Sequence, residues 1–134
     1  MNQAGFNPLP FTEDWEFSQS MICNGTLVFT SGQGGFGPDG EVVDPDDFEA
    51  QLRQTYANLA KVLEAAGASL DTVVKMTVYL AREDDYDTFT RVRHEMFTRP
   101  YPASTAIQGR MLFEGMLVEM DAVARVGERR SPAS

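Results

Sequence analysis

Apolar residues recur along this chain with two periods, one typical of helices and one typical of strands. The clearest helical stripe predicts a helix with one buried face. Its members are Phe48, Leu52, Tyr56, Leu59 and Leu63. Asp44 or Asp46 is expected to cap the helix at its start, with Pro45 suited to its first turn. The helix is expected to end near Ala66, because Gly67 is a favourable stop.

A second helical stripe predicts a helix from about residue 85 to residue 98, before Pro100. Its apolar members are Tyr86, Phe89, Val92, Met96 and Phe97. Alternating runs predict strands at 73–80, 103–109 and 117–125. Two further strands, at 17–22 and 26–31, are expected to form a hairpin around Asn24-Gly25, a pair that suits a type I′ turn. Residues 1–14 are interpreted as an irregular lead-in and 127–134 as a frayed tail.

The resulting order, β-β-α-β-α-β-β, indicates an α+β domain with a mixed sheet and two helices packed on one face. The other face would then be uncovered. In the strand at 117–125 this face carries Leu117, Glu119, Asp121 and Val123. An uncovered, partly apolar sheet face predicts oligomerisation, and any cavity would lie between subunits.

Glu119 is the candidate for chemistry on that face. An acid bracketed by Leu117 and Val123 could face a partly closed cavity and handle protons or water. The alternative is an exposed or edge-strand glutamate with no role, and spacing alone leaves both readings open.

The composition limits the possible functions. The 134 residues suffice for one domain, with its core at about 15–126. A formal net charge of -9 and scattered basic residues argue against nucleic-acid binding. No apolar run reaches membrane-spanning length, the N-terminus lacks a secretory signal, and the single cysteine fits a reducing compartment, so a cytoplasmic protein is expected.

Other possible sites are interpreted as structural. Gly32, Gly34 and Gly37 match a nucleotide-binding glycine pattern, but Pro38-Asp39-Gly40 predicts a turn where that site needs a helix. His94 has no second ligand at metal-binding spacing, so no metal site is expected. Cys23 is interpreted as an incidental thiol.

Several blocks, in order from about residue 17 to residue 124, resemble the RidA/YjgF family, also known as endoribonuclease L-PSP. They are FSQ at 17–19, LVFTSGQ at 27–33, EAQLRQTYANLAKVLEAAG at 49–67, ASL at 68–70, VVKMTVYL at 73–80, YPA at 101–103 and LVEMDAVA at 117–124. The resemblance implies a chorismate-mutase-like fold and a homotrimer with sites in the clefts between subunits. It also implies cofactor-free hydrolysis of a small enamine or imine, with Glu119 near the water and Ser31 and Gly32 in the pocket wall.

The chain departs from the family pattern at three substrate-binding positions. Ser104 stands where the family's deaminases have a carboxylate-binding arginine, Phe17 replaces a tyrosine, and Thr90 aligns with an asparagine. Ser104 and Thr105 are then expected to hold a more neutral substrate, unless another arginine reaches the cleft. The candidates are Arg91, Arg93 and Arg110.

Three functions therefore follow as hypotheses. The first is a hydrolase or deaminase of small enamines or imines. The second is a trimer that binds a small molecule without turnover or has a chaperone-like role. The third is the ribonuclease activity of the older family name, which the net charge of -9 and the lack of a histidine pair disfavour.

Overall fold

A five-stranded mixed sheet with two helices is the centre of the computed structural model, which describes residues 3–128. The strands are β1 (Gln3–Phe6), β2 (Ser20–Cys23), β3 (Leu27–Phe29), β4 (Gln33–Gly34), β5 (Val73–Leu80), β6 (Ala103–Gln108) and β7 (Val118–Arg125). The helices are α1 (Phe48–Ala65) and α2 (Tyr86–Met96). The expected α+β class is confirmed.

The sheet order is β3-β7-β5-β6, and β4 also pairs with β7. Strands β5 and β6 are parallel, while β7 runs antiparallel to β5, β3 and β4. Parallel neighbours need a crossover connection, and α2 provides it between β5 and β6. No helix in the described part of the chain, residues 3–128, is long and apolar enough to cross a membrane.

Helix α1 has the buried stripe that the sequence predicts, and none of its five stripe residues is more than 5% exposed. The expected cap is wrong by one residue. Asp47 caps the helix by accepting a hydrogen bond from Ala50 N at 3.0 Å, while Asp44 lies outside it with φ of 40°. Gly67, with φ of 81°, follows the helix end as expected, because that conformation favours glycine.

Helix α2 is shorter than expected, and only part of its apolar stripe is buried. Phe89, Val92 and Phe97 are buried, but Tyr86 is 43% exposed. The buried face also contains Arg93, which is only 6% exposed. The helix therefore buries a cation that its apolar pattern did not predict.

The hairpin prediction is wrong. Strand β2 pairs with β1, whereas β3 pairs with β7 in the main sheet. Gly25 does have a positive φ of 105°, so the chain turns there, but the two strands enter different sheets.

The expected irregular lead-in is also wrong at Gln3–Phe6, which forms β1, and a 3₁₀ turn follows at Pro10–Thr12. Met1, Asn2 and 129–134, most of the expected tail, lie outside the described residues.

The two faces of the sheet differ in burial. On the helix side, Val118, Met120, Ala122 and Ala124 of β7 are all buried, as are Met76 and Val78 of β5. The opposite face, called the open face below, carries Glu119, Tyr79 and Ile107 in register across β7, β5 and β6. Ile107 is 48% exposed, and Phe29, in register with Val123 at the other side of β7, is 72% exposed. The open face is thus partly apolar.

Gln51 connects α1 to the loop that leads into β7. Its side chain is fully buried and accepts from Leu117 N at 2.8 Å. The same amide donates to the carbonyls of Gly115 at 2.8 Å and Asp44 at 3.1 Å. One buried side chain therefore satisfies three backbone groups just before the strand that holds Glu119.

Replacing Gln51 with leucine should destabilise the fold, because a buried N–H and two carbonyls would lose their partner. We expect Gln51→Leu to lower the free energy of unfolding by about 3 kcal/mol. Urea denaturation would measure this change. Gln54→Leu is the control: Gln54 is half-buried and, within residues 3–128, its side chain bonds only to the Asn58 side chain, so its loss should cost less than about 1 kcal/mol. Equal losses for the two variants would contradict the role given to Gln51.

Candidate functional site

Glu119 lies on β7 with its side chain on the open face. It is half-buried and in register with Tyr79 of β5 and Gly34 of β4. Strand β7 is held on both sides by other strands, so the backbone under this carboxylate is fixed. The position agrees with the alternation read from the sequence.

The segment containing Ser31 and Gly32 lies against the Glu119 carboxylate. A Cβ atom on Gly32 would stand 2.7 Å from Glu119 Oε2, closer than van der Waals contact allows. Gly32 has no positive φ, so this glycine is required by space and not by backbone conformation. The backbone at Gly32 can therefore approach the acid more closely than any other residue type would permit.

Thr30 and Gln33, at the two ends of this segment, both pair with strand β7. Thr30 N donates to Ala122 O at 3.0 Å, and Thr30 Oγ1 accepts from Ala122 N at 3.0 Å. Gln33 pairs with Met120 on the same strand. Ser31 and Gly32, both exposed, thus form a short arch beside β7 whose ends cannot move independently of Glu119.

Thr105 belongs to the same open face, one strand further away. It is in register with Thr77 of β5, and its hydroxyl accepts from Lys75 Nζ at 2.9 Å. The structure therefore brings Glu119, Ser31 and Gly32 together and places Thr105 on their side of the sheet, across β5.

The other predicted residues lie on the helix side. Ser104 is in register with the buried Met76, and its buried hydroxyl has no hydrogen-bond partner in the described part of the chain. Phe17 and Thr90 line a cavity of about 390 Å³ between the N-terminal segment and α2. In a single copy of the chain, the predicted site is therefore divided between the two sides of the sheet.

The cavity beside α2 has aromatic walls. Trp15 and Tyr86 line it with Phe17, and the Trp15 and Phe17 ring centroids lie 5.4 Å apart. Three acids, Asp14, Glu16 and Asp87, are also in the lining. We call this space, with Arg93 described below, the α2 cavity.

The three candidate arginines occupy different environments. Arg91 is on the surface, where it binds Glu49 and lies 3.7 Å from Glu95. Hydrogen bonds from Arg91 and then Arg53 hold the pKa of Glu49 below its usual value. Arg110 is exposed in the loop after β6. Arg93 alone of the three is buried, and it lines the α2 cavity.

The contacts of Arg93 are aromatic. Its guanidinium carbon lies 5.4 Å from the Phe17 ring centroid and 5.2 Å from that of Phe89. The nearby charge of Arg93 opposes, but does not overcome, the burial that raises the pKa of Tyr56. Arg93 Nε is buried and has no hydrogen-bond partner among residues 3–128. Sequence reasoning named Arg93 only as one of three arginines. Its place in the helical stripe, four residues after Phe89 and four before Phe97, is the signal that could have singled it out.

No group of histidine, cysteine and acidic residues that could hold a metal ion is found within residues 3–128. His94, 65% exposed, instead places Nδ1 2.8 Å from Glu16 Oε1. Cys23 is a free, half-buried thiol on β2.

The sequence profile of one family, described as endoribonuclease L-PSP, matches residues 12–126. The chain belongs to the RidA/YjgF family. A RutC family protein of Pyrococcus abyssi is 38% identical over 109 residues, which cover 81% of this chain and 84% of that protein. The human 2-iminobutanoate/2-iminopropanoate deaminase is 32% identical over 111 residues, covering 83% and 80%.

Solved structures of RidA/YjgF proteins have the same fold. A Rid family protein of unknown function from Yersinia pestis has a TM-score of 0.84 at 26% identity, covering 94% of this chain and all (100%) of that one. RidA from an Antarctic Psychrobacter has a TM-score of 0.70 at 35% identity, covering 82% and 88%. Imine deaminases are thus among the relatives of this RidA/YjgF chain.

Adding a methyl group at Gly32 should displace the Glu119 carboxylate. Because the clash falls on the end of a flexible side chain, we expect Gly32→Ala to change the unfolding free energy by less than about 1 kcal/mol while moving the acid. A crystal structure of the variant would show the displacement. Gly109→Ala is the matched control, since a Cβ there meets nothing within 4 Å. An unmoved Glu119 in Gly32→Ala would contradict the close approach.

Proposed function

We propose that this protein is a cofactor-free hydrolase of small reactive imines or enamines, acting in the cytoplasm as a homotrimer. The observation that carries the proposal is the Gly32 backbone lying against the carboxylate of Glu119, on an open sheet face. Polar backbone groups and one acid at this point can hold a water and a small unsaturated substrate together. The names of the deaminase relatives support 2-imino acids as the substrate class.

The reaction needs only a water and proton transfers. Water adds to the imine carbon, forming a C–O bond, while Glu119 accepts a proton from that water. The proton passes to the nitrogen, which gives a carbinolamine. Glu119 then accepts the hydroxyl proton and donates it to the nitrogen as the C=O bond forms and the C–N bond breaks, so that ammonia and a 2-oxo acid are released. A carboxylate that alternately accepts and donates one proton is sufficient for this sequence, and such catalysis typically contributes a factor of 10²–10⁴.

Replacing Glu119 with glutamine should remove the proton acceptor but keep the size of the side chain. We expect Glu119→Gln to lower kcat/KM for imine hydrolysis by a factor of about 10² or more. The rate would be measured on imines formed in situ by an L-amino acid oxidase, with semicarbazide competing for the imine. Asp121→Asn, two residues along the same face, should retain the wild-type rate. Full activity in Glu119→Gln would remove this acid from the mechanism.

A trimer would bring the two parts of the site together. Glu119 with Ser31 and Gly32 is on the open face, while Phe17 and Thr90 line the α2 cavity on the other side of the chain. A neighbouring copy seated on the open face would cover its exposed apolar residues and could bring its own α2 cavity to Glu119. The exposed Phe29 supports such an interface.

A charge at Phe29 should therefore prevent assembly. We expect Phe29→Glu to convert a trimer into monomers, because the buried carboxylate would have no partner at an apolar contact. Light scattering coupled to size-exclusion chromatography measures the mass. Val62→Glu, at a 39% exposed position on α1 away from the open face, should remain trimeric. A wild-type monomer, or a trimeric Phe29→Glu, would contradict this interface.

Ligand binding without turnover is the second candidate function. It is favoured by Ser104, whose buried hydroxyl stands where the family's deaminases have an arginine and makes no hydrogen bond to the described residues. Wild-type protein that binds a 2-oxo acid but accelerates the hydrolysis of no imine would establish it in place of the hydrolase.

A further inference from the structure

Arg93 is a buried cation that forms no ion pair within residues 3–128, although three acids line the same cavity. It is 6% exposed, and within the described chain no carboxylate or carbonyl oxygen accepts a hydrogen bond from its guanidinium. Arg125, which is 4% exposed, shows the usual solution: it donates to the carbonyls of Val126 at 3.2 Å and Glu128 at 2.6 Å. Arg125 Nε is also buried without a partner within the described residues, but its two outer nitrogens donate to carbonyls. The two buried arginines therefore differ in that the described chain accepts hydrogen bonds from the outer nitrogens of Arg125 and from none of Arg93.

Burying a guanidinium without a partner costs free energy, because the group loses hydrogen bonds to water and gains none from the protein. The rings of Phe17 and Phe89 hold the cation from 5.4 and 5.2 Å and offset part of that cost. The ring faces, however, do not accept hydrogen bonds from the in-plane N–H groups of the guanidinium. That fork matches a carboxylate in geometry and charge.

The place of Arg93 allows a ligand to supply this carboxylate. Arg93 lines the α2 cavity, whose volume of about 390 Å³ is sufficient for a small organic acid. Thr90, one helical turn earlier in α2, lines the same cavity with its hydroxyl buried and unpartnered. Within the described residues, three side chains in this lining thus have a buried polar atom without a partner: Arg93, Thr90 and Glu16, through its Oε2.

We propose that Arg93 binds the substrate carboxylate in this protein, in the α2 cavity, and that Ser104 has no part in that contact. The inference rests on the proposed imine hydrolysis for its substrate, but the carboxylate contact itself can be tested by binding alone. Arg93 is then a specificity-determining residue, supplied by α2 instead of by strand β6.

The rest of the lining defines the substrate further. Trp15, Phe17 and Tyr86 offer apolar surface to a side chain. Asp14 and Asp87 are exposed in the same lining. Glu16 places its Oε1 2.8 Å from His94 Nδ1, while its Oε2 is buried without a partner within the described residues. These acids repel a second negative charge but tolerate a protonated imine nitrogen. The expected substrate is a 2-imino acid with one carboxylate and an apolar side chain.

The binding test uses the 2-oxo acid that corresponds to leucine, 4-methyl-2-oxopentanoate, and its uncharged methyl ester. The single tryptophan, Trp15, lies in the cavity lining, so its fluorescence reports occupancy. We expect wild type to bind the acid at least tenfold more tightly than the ester, and Arg93→Gln to lose this preference. Arg91→Gln is the matched control on the same helix and should keep it. Equal binding of acid and ester by wild type, or an unchanged preference in Arg93→Gln, would overturn the proposal.

The kinetic test uses imines formed from leucine, phenylalanine and aspartate. We expect wild type to prefer the first two, Arg93→Gln to raise KM for them at least tenfold, and Arg93→Lys to lie between. Adding Ser104→Arg to Arg93→Gln should restore part of the loss, which a purely structural role for Arg93 would not allow. Turnover that does not depend on Arg93 would refute this inference and leave the hydrolase intact. Arg93-dependent binding without any turnover would refute the hydrolase and support the carboxylate contact.

Discussion

The structure depends on one constraint, which is that two helices cover only one face of a five-stranded sheet. The apolar stripe of α1 and part of that of α2 bury the centre of the helix side, so Met76, Val78 and Met120 are enclosed. Nothing in the described chain does the same for the open face. Exposed apolar groups such as Phe29 and Ile107 therefore remain beside half-buried polar ones. The same constraint that builds the core thus leaves a surface on which an acid can lie beside apolar neighbours.

Two parts of the structure hold the surroundings of Glu119 in place: the strands beside β7 and the arch of Ser31 and Gly32. From below, β7 is held between β3, β4 and β5. From the side, the arch of Ser31 and Gly32 is fastened by Thr30 and Gln33, and Gln51 secures the chain just before the strand begins. A carboxylate held this way loses little further freedom when it orients a water, which is the physical basis of preorganisation.

The sequence predicted those elements whose local pattern agrees with their tertiary role. The stripe of α1, the strand Val73–Leu80 and the alternation around Glu119 all correspond to faces that are buried or open in the fold. The hairpin failed because Asn24-Gly25 determines a turn but not the partner of each strand, and pairing depends on residues such as Ala4 and Ala124 far away in sequence. The spacing of Arg93 from Phe89 and Phe97 places it on the inner face of α2, but its burial also requires a segment distant in sequence, that carrying Phe17, to pack over it, and spacing does not show that packing.

For binding an anion, the buried location of Arg93 matters more than how many basic residues the chain contains. At a net charge of -9, the protein as a whole repels anions, yet that repulsion acts through water and is screened beyond roughly 8 Å at physiological salt. A contact with a guanidinium that is 6% exposed is screened far less, because little water lies between the charges. Affinity for a carboxylate must therefore be local and must depend on desolvation. The exposed Arg110, and Arg91 with Glu49 already bound, offer neither condition. Of these three arginines, Arg93 is the buried one with aromatic neighbours, and the proposed carboxylate contact is therefore assigned to it.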